Sequence, residues 1–211
     1  MILNNTPNIE LLHGDCLELM PAIPDKSIDM ILTDPPYPDY HAERYGYYDG
    51  IIDFLKDYPC RQLIFWSAKV PFPLDYTACH VWDKKCGVGS MYEFIYERNG
   101  GNAYKVFNYY LINSTVAASY TGDKFFDHPS QKPIKLINKL INEFSEAGQL
   151  ILDPFAGSGT TAIACYNTNR NAILMEKDDK YFKVASKRIA DHVKQIQIQF
   201  SDVNKINIQN D

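Results

Sequence analysis

Seven short apolar runs recur along the chain, and each has the length of a buried β-strand. They are Ile9 to His13, Ile28 to Thr33, Leu63 to Trp66, Ala78 to Trp82, Tyr92 to Tyr96, Leu150 to Leu152 and Ala172 to Met175. Helical patterns separate several of these runs. Strands that alternate with helices predict an α/β fold with a doubly wound, mainly parallel sheet of seven strands.

Two helical patterns are clear. The first is a stripe of apolar residues at helical spacing between Pro133 and Gly148, made of Ile134, Ile137, Ile141 and Phe144. Proline near the start and glycine after the end are typical helix boundaries. The second runs from about Lys180 to Ile196, and its inward positions are Phe182, Ala185, Ile189 and Val193.

The alternation breaks between residues 87 and about 127, where glycine occurs five times among many Tyr, Asn and Ser residues. Such a segment in an α/β scaffold often carries specificity, although a long connection is an equally good interpretation. We therefore expect one domain over residues 1–211, with a small insertion at about 87–127. The polar tail after Phe200 is expected to be peripheral.

The chain has 211 residues, of which 45% are hydrophobic, and this suffices for one domain with a buried core. No stretch approaches the roughly 18 apolar residues of a membrane span. The start, Met1-Ile2-Leu3-Asn4, lacks the basic and apolar segments of a signal peptide. These features predict a cytosolic protein.

Five scattered cysteines favour neither a disulfide framework nor a zinc ribbon, because their number is odd and none forms Cys-x-x-Cys. They are Cys16, Cys60, Cys79, Cys86 and Cys165. Cys79, His80 and Cys86 offer three metal ligands, but a structural zinc site takes four. We predict no metal.

The formal net charge of -5 argues against a protein that coats nucleic acid by bulk electrostatics. The charge is uneven along the chain. Residues 1–60 carry three Lys/Arg and eleven Asp/Glu, net -8, whereas residues 98–142 carry six and two, net +4. The positive window fits either a solvated face or a surface that contacts phosphates.

The tetrapeptide Asp34-Pro35-Pro36-Tyr37 follows the run Ile28 to Thr33, so it falls where a buried strand ends. Ligands of open α/β sheets bind at that edge. A carboxylate, two ring-stiffened residues and an aromatic face form a rigid cradle for a flat, hydrogen-bonding group such as a nucleobase amine. Taken alone, the tetrapeptide also fits a proline turn.

A second motif, Leu150 to Thr161, predicts a strand, a glycine turn and a helix from Thr160 to Tyr166. Gly157 and Gly159 would let the backbone approach a ligand closely. Glu176 follows Gly157 by nineteen residues, at the end of the next apolar run. Such folds place there an acid that accepts hydrogen bonds from ribose. A tight strand-helix turn is the simpler interpretation of Gly-x-Gly, and the spacing to Glu176 favours a nucleoside site.

The sequence has no Gly-Lys-Ser/Thr of a phosphate loop and no third glycine at the usual dinucleotide position. Both absences disfavour a ligand with tightly held phosphates. A nucleoside cofactor without phosphates, S-adenosylmethionine, fits better.

Together these motifs resemble those of the permuted, β-class amino-directed DNA methyltransferases. The matching segments occur in that family's order and are Leu12 to Cys16, Asp34 to Tyr37, His128 to Pro133, Asp153 to Thr161, and Glu176. The resemblance covers roughly residues 9–70 and 124–194, and the middle region shows no match. It implies a catalytic half at about 9–86 and a cofactor half at about 124–196. It also implies that the protein acts in the cytoplasm of a prokaryotic or phage-infected cell.

The resemblance implies a catalytic role for Asp34, Pro35, Pro36 and Tyr37. It implies a cofactor-binding role for a larger set, which comprises Asp15, Cys16, Lys132, Asp153, Phe155, Ala156, Gly157, Gly159, Thr160 and Glu176.

Particular parts of the cofactor are expected at particular residues of this set. Glu176 is expected to hold the ribose, and Asp15 with Cys16 to face the adenine. Lys132, flanked by Gln131 and Pro133, is expected near the methionine carboxylate. A helix cap for Asp15 and a first-turn surface position for Lys132 are the simpler interpretations.

The chemistry that these residues suit is methylation of an exocyclic amine, whose lone pair is delocalised into the ring and is a poor nucleophile. Asp34 and the carbonyl of Pro35 can accept the two amine hydrogens and direct the lone pair at the methyl group. The base must leave the duplex, and Tyr37 is expected to stack on it. The tyrosines that follow form either an aromatic gate or ordinary packing. They are Tyr40, Tyr45, Tyr47 and Tyr48.

In the resembled family an initial Asp goes mostly with adenine N6 and an initial Ser with cytosine N4, so Asp34 favours adenine. The expected function is methylation of adenine N6 in double-stranded DNA. The alternatives are cytosine N4 methylation, methylation of an RNA or a protein amide, a non-catalytic DNA-binding module, and a dinucleotide-dependent oxidoreductase. The last would leave Asp34 to Tyr37 without a use.

Arg98, Asn99 and Asn102 are of types that contact bases, although the two asparagines also suit turns. The middle region is short, so help from a second subunit, as in a homodimer, is an expected arrangement.

Overall fold

One mixed sheet organises the chain. The computed structural model describes residues 6–24, 26–37, 49–85, 91–112, 122–126, 128 and 130–208, and the isolated positions 115, 117 and 119. In these residues the sheet has eight strands in the order β1-β8-β7-β2-β3-β5-β4-β6. The strands are β1 (Ile9–His13), β2 (Met30–Thr33), β3 (Arg61–Trp66), β4 (Ala78–Asp83), β5 (Tyr92–Arg98), β6 (Val106–Asn108), β7 (Leu150–Asp153) and β8 (Asn171–Glu176).

All strands except β5 run in one direction, since β5 pairs antiparallel with β3 and β4 while the other pairings are parallel. The carboxyl ends of seven strands and the amino end of β5 therefore meet at one edge of the sheet. This confirms the α/β fold with a mainly parallel sheet. The sequence predicted seven strands, and the structure adds β6, a three-residue edge strand whose first and last residues are exposed.

Five described helices cover the sheet. They are α1 (Cys16–Leu19), α2 (Asp49–Asp57), α3 (Ile134–Phe144), α4 (Thr160–Asn167) and α5 (Asp179–Ile208), and a 3-10 turn over Met20–Ala22 follows α1. The first predicted helical stripe is α3, and the second lies within the longer α5. None of the helices in the described part of the chain is long and apolar enough to cross a membrane.

The core has two layers because successive strand residues point to opposite faces. On one face, residues such as Leu32, Leu63 and Phe65 pack with the apolar sides of α3 and α4. On the other, Ile31, Ile64 and Trp66 pack with α1 and α2. Strands covered on both faces must be apolar throughout, and β2 is buried at every position. The sheet edge is thereby held rigidly between helices.

The helix α5 anchors the glycine turn that precedes α4. Buried Arg188 on α5 donates from Nη1 to the Ser158 carbonyl oxygen at 2.9 Å and to Thr160 Oγ1 at 3.0 Å. Gly159 has a φ of 77°, in the left-handed region, and a Cβ there would lie 3.1 Å from the Ala185 Cβ. Both the backbone conformation and the packing require glycine at this position.

We predict that Gly159→Ala lowers the free energy of unfolding by about 2 to 3 kcal/mol, of which roughly 1 to 2 kcal/mol comes from the left-handed backbone and the rest from the contact with Ala185. Gly148→Ala is the matched control, because Gly148 has a φ of 85° and nothing within 4 Å of its added Cβ. Urea denaturation measures both variants. Equal losses would contradict the packing role of Gly159.

Candidate active site

A cavity of about 630 Å³ opens at the shared carboxyl edge of the sheet. Its walls come from the residues that follow β1, β2, β7 and β8 and from the segment before α3. Predicted site residues that line it are Cys16, Asp34, Pro35, Pro36, Tyr37, Gln131, Lys132, Asp153, Phe155, Ala156, Gly157, Thr160 and Glu176. The lining that the described residues form does not include Asp15, Pro133 or Gly159.

The tetrapeptide after β2 forms one end of the cavity. Asp34 is partly buried, Pro35 is buried, and the Tyr37 side chain is 8% exposed. The Tyr37 ring lies at 5.5 Å from the Trp66 ring, measured between centroids, in a tilted arrangement. Contact with the core thus holds the aromatic face of Tyr37 at the strand end.

The ammonium group of Lys132 lies against the Asp34 carboxylate. Lys132 Nζ donates to Asp34 Oδ2 and lies 3.5 Å from Glu93 Oε2. The other oxygen of Glu93, Oε1, accepts from Lys84 Nζ at 2.6 Å. Lys132 Nζ also lies 4.8 Å from the centroid of the Phe65 ring. Four charged side chains, Asp34, Lys132, Glu93 and Lys84, therefore form one chain of ion pairs, which we call the charge cluster.

Burial and mutual attraction oppose each other in this cluster. Burial raises the pKa of Asp34, and Lys132 partly offsets that rise. Burial lowers the pKa of Lys132, but Asp34 and Glu93 outweigh it, so the net pKa is raised. Burial likewise acts against ionised Glu93, but Lys132 and Lys84 lower its pKa overall. Lys132 accordingly stays charged. Among the described residues, Asp34 Oδ1 is buried without a hydrogen-bond partner.

The glycine turn and Glu176 form the other end of the cavity. Glu176 Oε2 accepts from Gly157 N at 2.7 Å, and Oε1 accepts from Asp178 N at 2.8 Å. A Cβ on Gly157 would lie 2.8 Å from His128 Nε2, and the φ of Gly157 is 52°. Only glycine leaves this space open. The Glu176 carboxylate also lines the cavity.

Asp153 stabilises the glycine turn through hydrogen bonds. Its Oδ2 accepts from Thr161 Oγ1 at 2.6 Å, and its Oδ1 accepts from Phe155 N at 3.1 Å. The residue is 4% exposed. Burial, with the charge of Asp34 adding to it, raises the pKa of Asp153 to about 6 despite these hydrogen bonds. Asp153 therefore joins β7 to α4 and contributes only part of its surface to the cavity.

Asp15 and Cys16, which the sequence predicted to face the adenine, have different surroundings in the structure. Cys16 is buried and lines the cavity, and burial raises its pKa to about 12, so the thiol stays protonated. Asp15 caps α1 by accepting from Leu17 N at 3.0 Å, and its other oxygen accepts from Lys177 Nζ at 2.9 Å. The helix-cap interpretation of Asp15 is thus the one that its contacts support.

Several cavity and cluster residues carried no predicted role. His128 is a neutral imidazole, since burial and the charges of Lys132 and Arg188 lower its pKa to about 4. Its ring centroid lies 4.4 Å from that of Tyr181 on α5, and its Nδ1 accepts from Ser130 N at 3.2 Å. His128 lies within a motif that the sequence singled out, whereas no spacing pointed to Glu93 or Lys84.

Arg98, a candidate for contact with bases, does not lie where it could contact a base in the cavity. Arg98 is buried at the amino edge of the sheet, opposite the cavity, because β5 runs antiparallel. Its Nε donates to the Asp75 carbonyl at 2.7 Å and its Nη1 to Gln62 Oε1 at 3.0 Å. Asn99 has a φ of 53° and donates to the Tyr58 and Cys60 carbonyls, so the turn interpretation is right for it.

Some predicted features lie outside the described residues. These are the tyrosines at positions 40, 45, 47 and 48, and Cys86. In the part of the chain that the structure describes, no three His, Cys, Asp or Glu side chains come together as a metal site would require. The positive window at 98–142 is also weaker than its charge suggests, since Arg98 and Lys132 are buried.

A model of the DNA methylase family matches residues 62–187. The DNA adenine methyltransferase YhdJ of Escherichia coli is 25% identical over 248 residues, which cover 85% of this chain and 82% of YhdJ. The type II methyltransferase M2.MboI of Moraxella bovis is 25% identical over 238 residues, which cover 86% of this chain and 87% of that protein.

Solved structures share the fold. The cytosine-N4-specific PvuII DNA methyltransferase matches with a TM-score of 0.65 and 18% identity, over 91% of this chain and 93% of its own. M1.HpyAVI, solved as a complex with SAM, matches with a TM-score of 0.59 and 24% identity, over 85% of this chain and 99% of its own. At these identities the likeness establishes the fold.

The pKa of Asp153 predicts a pH-dependent stability. The carboxyl titrates near 3.9 in an unfolded chain and at about 6 in the fold. A raised folded pKa contributes stability that is complete below about pH 4 and is lost as the pH rises through 6. Asp153→Asn should therefore gain about 2 kcal/mol relative to the wild type between pH 4 and pH 7. Urea denaturation at the two pH values measures this, and a constant offset would contradict it.

Proposed function

Since the chain belongs to the DNA methylase family, whose model matches residues 62–187, we propose that it transfers a methyl group from S-adenosylmethionine to the N6 amine of adenine in double-stranded DNA. The observation that carries this proposal is the acceptor pair at the end of β2. Asp34 lines the cavity, and its Oδ1 has no hydrogen-bond partner among the described residues. Pro35 beside it offers a carbonyl oxygen and no donor.

The cavity suits a nucleoside cofactor at its Glu176 end. Glu176 lines the cavity with a carboxylate that can accept from a ribose hydroxyl, and Gly157 leaves the space that a side chain would fill. Cys16 and Phe155 supply apolar wall for an adenine ring, and the protonated Cys16 thiol brings no charge. When bound, S-adenosylmethionine supplies an electrophilic sulfonium methyl group. The residues at the Asp34 end act on the target amine.

The protein's part in the chemistry is to orient the amine. Asp34 Oδ1 and the Pro35 carbonyl accept its two hydrogens, which favours a pyramidal nitrogen with a directed lone pair. Holding reactants in such a geometry contributes several kcal/mol in well-oriented reactions. The rigid strand end and the buried Pro35 keep both acceptors in place. Tyr37 provides the face on which the extruded base stacks.

For Lys132 we propose a role that differs from the one that the sequence predicted. Its ammonium group contacts Asp34 and Glu93. We propose that it acts as the counter-ion of Asp34, whereas the sequence predicted contact with the cofactor's carboxylate. An ionised acceptor in a buried pocket requires such a partner, since an isolated carboxylate would take up a proton.

Adenine is the preferred target because this chain has Asp34 where cytosine-directed members of the resembled family mostly have Ser. Similarity to a protein described as a DNA adenine methyltransferase supports the same choice. Cytosine N4 is the alternative, since the PvuII enzyme with the same fold is cytosine-N4-specific. The two amines are chemically alike, so the pocket outline decides between them.

We propose that the middle region at about 87–127 contacts DNA beside the cavity. Met91 and Tyr92 lie at the amino end of β5, and Tyr110 follows β6, so all three lie on the carboxyl edge that holds Asp34. Their exposures are 56%, 45% and 54%, respectively. Aromatic faces suit stacking on bases displaced by extrusion. That two copies of this protein form a homodimer stays a prediction.

We predict that Asp34→Ala lowers the rate of methyl transfer to DNA by at least about 100-fold, because one of two acceptors that orient the amine is lost. S-adenosylmethionine should still bind with a Kd close to that of the wild type, since Glu176 and the glycine turn are unchanged. Transfer of labelled methyl groups and calorimetry measure the two effects.

The control for this variant is Glu146→Ala, which removes an exposed carboxylate before β7, at the opposite edge of the sheet. It should leave both transfer and cofactor binding unchanged. Asp34→Ala with full activity would exclude the proposed role of Asp34. Loss of cofactor binding together with activity would mean that Asp34 supports the cofactor site instead.

A further inference from the structure

Two members of the charge cluster, Glu93 and Lys84, lie behind the cavity wall. The cavity lining formed by the described residues includes Asp34 and Lys132 but neither Glu93 nor Lys84. Their side chains are 13% and 7% exposed. Groups so placed do not line the cavity, and they act on it through the contact of Glu93 with Lys132 and through their charges.

The neighbouring strands fix this arrangement. Glu93 lies on β5 opposite Trp82 of β4, and Lys84 directly follows β4, where its N donates to the Met91 carbonyl oxygen at 2.9 Å. The antiparallel β4-β5 pair therefore presents Glu93 and Lys84 side by side. Lys132 arrives from the segment before α3 and lies between Glu93 and Asp34.

We propose that Glu93 and Lys84 are positioning residues that hold Lys132 against Asp34 and set the charge of Asp34 during methyl transfer. This rests on the proposed function, in which Asp34 is the acceptor for the target amine. Glu93 attracts Lys132 from the far side, so Lys132 is shared between two carboxylates. Lys84 occupies the second oxygen of Glu93 and limits that attraction.

The two residues act on Asp34 in opposite directions. The charge of Glu93 favours protonation of Asp34, whereas the charges of Lys132 and Lys84 oppose it. Among the described residues, Asp153 at the end of β7 is a further carboxyl near Asp34, and the charge of Asp34 raises its pKa. The charged groups around Asp34 thus come from four elements, and the pH dependence of transfer reports their sum.

The test compares Glu93→Gln, Lys84→Met and the double variant in single-turnover methyl transfer across pH 5 to 8. Activity falls at acid pH as Asp34 takes up a proton. Glu93→Gln should move this fall to lower pH, and Lys84→Met should move it to higher pH. At one pH on the acid side of the profiles (the acid limb), the rates of these two variants, each relative to its own maximum, should differ by roughly tenfold. This is the effect of one buried unit charge. The double variant should return towards the wild-type profile.

Controls separate charge from packing. Lys84→Arg keeps the positive charge and should keep the wild-type profile. Lys85→Met removes the neighbouring lysine, which is 43% exposed and pairs with Asp83 outside the cluster, and should also leave the profile unchanged. If Glu93→Gln and Lys84→Met lower the rate equally without moving the acid limb, the two residues serve only packing and the proposal is overturned.

A second measurement does not depend on methyl transfer. The carboxyl carbon-13 resonance of Asp34, assigned with Asp34→Asn, can be titrated in the wild type and in each variant. Opposite displacements in Glu93→Gln and Lys84→Met would support the charge cluster even if the wild type methylates no DNA, in which case the proposed function alone fails. Identical titrations in all proteins would overturn the cluster's role.

Discussion

The site depends on one electrostatic constraint, the burial of the Asp34 carboxylate at the end of an apolar strand. A carboxylate in such a place is neutralised by a proton unless a cation accompanies it. The protein supplies Lys132, whose ammonium contacts Asp34 and lies 3.5 Å from Glu93 Oε2. Glu93 in turn is held by Lys84 at 2.6 Å. Two negative and two positive groups balance in this cluster, and the cations oppose the protonation of Asp34 that burial favours.

The sheet topology makes this balance achievable. With β5 reversed between β3 and β4, the amino end of β5 joins the carboxyl ends of the other strands, and Glu93 reaches the edge where Asp34 lies. The same edge brings Glu176 and the glycine turn within one cavity of about 630 Å³. Helices pack on both faces of the sheet and hold the strand ends, so the Asp34 end and the Glu176 end of the cavity keep a fixed separation. The proposed transfer between two bound groups would require such a separation.

Sequence alone predicted the parts of the site that follow directly from strand ends. Asp34 and Glu176 each end an apolar run, and parallel strands finish at a common edge, so their convergence could be expected. The structure was needed for contacts between distant segments. Glu93 and Lys84 meet through the register of a hairpin that no spacing encodes, and β6 is too short to have a periodicity. The residue type of Arg98 suits contact with bases, whereas in the fold its guanidinium donates to backbone carbonyls.

The identity of the methylated base tests the central claim most directly. Wild-type protein and Asp34→Asn would each be incubated with methyl-labelled S-adenosylmethionine and DNA of mixed sequence, and the DNA then digested to nucleosides and separated. We predict label in N6-methyladenine with the wild type and loss of nearly all label with Asp34→Asn. Label in N4-methylcytosine, or equal labelling by the two proteins, would contradict the assignment of Asp34 as the acceptor for an adenine amine.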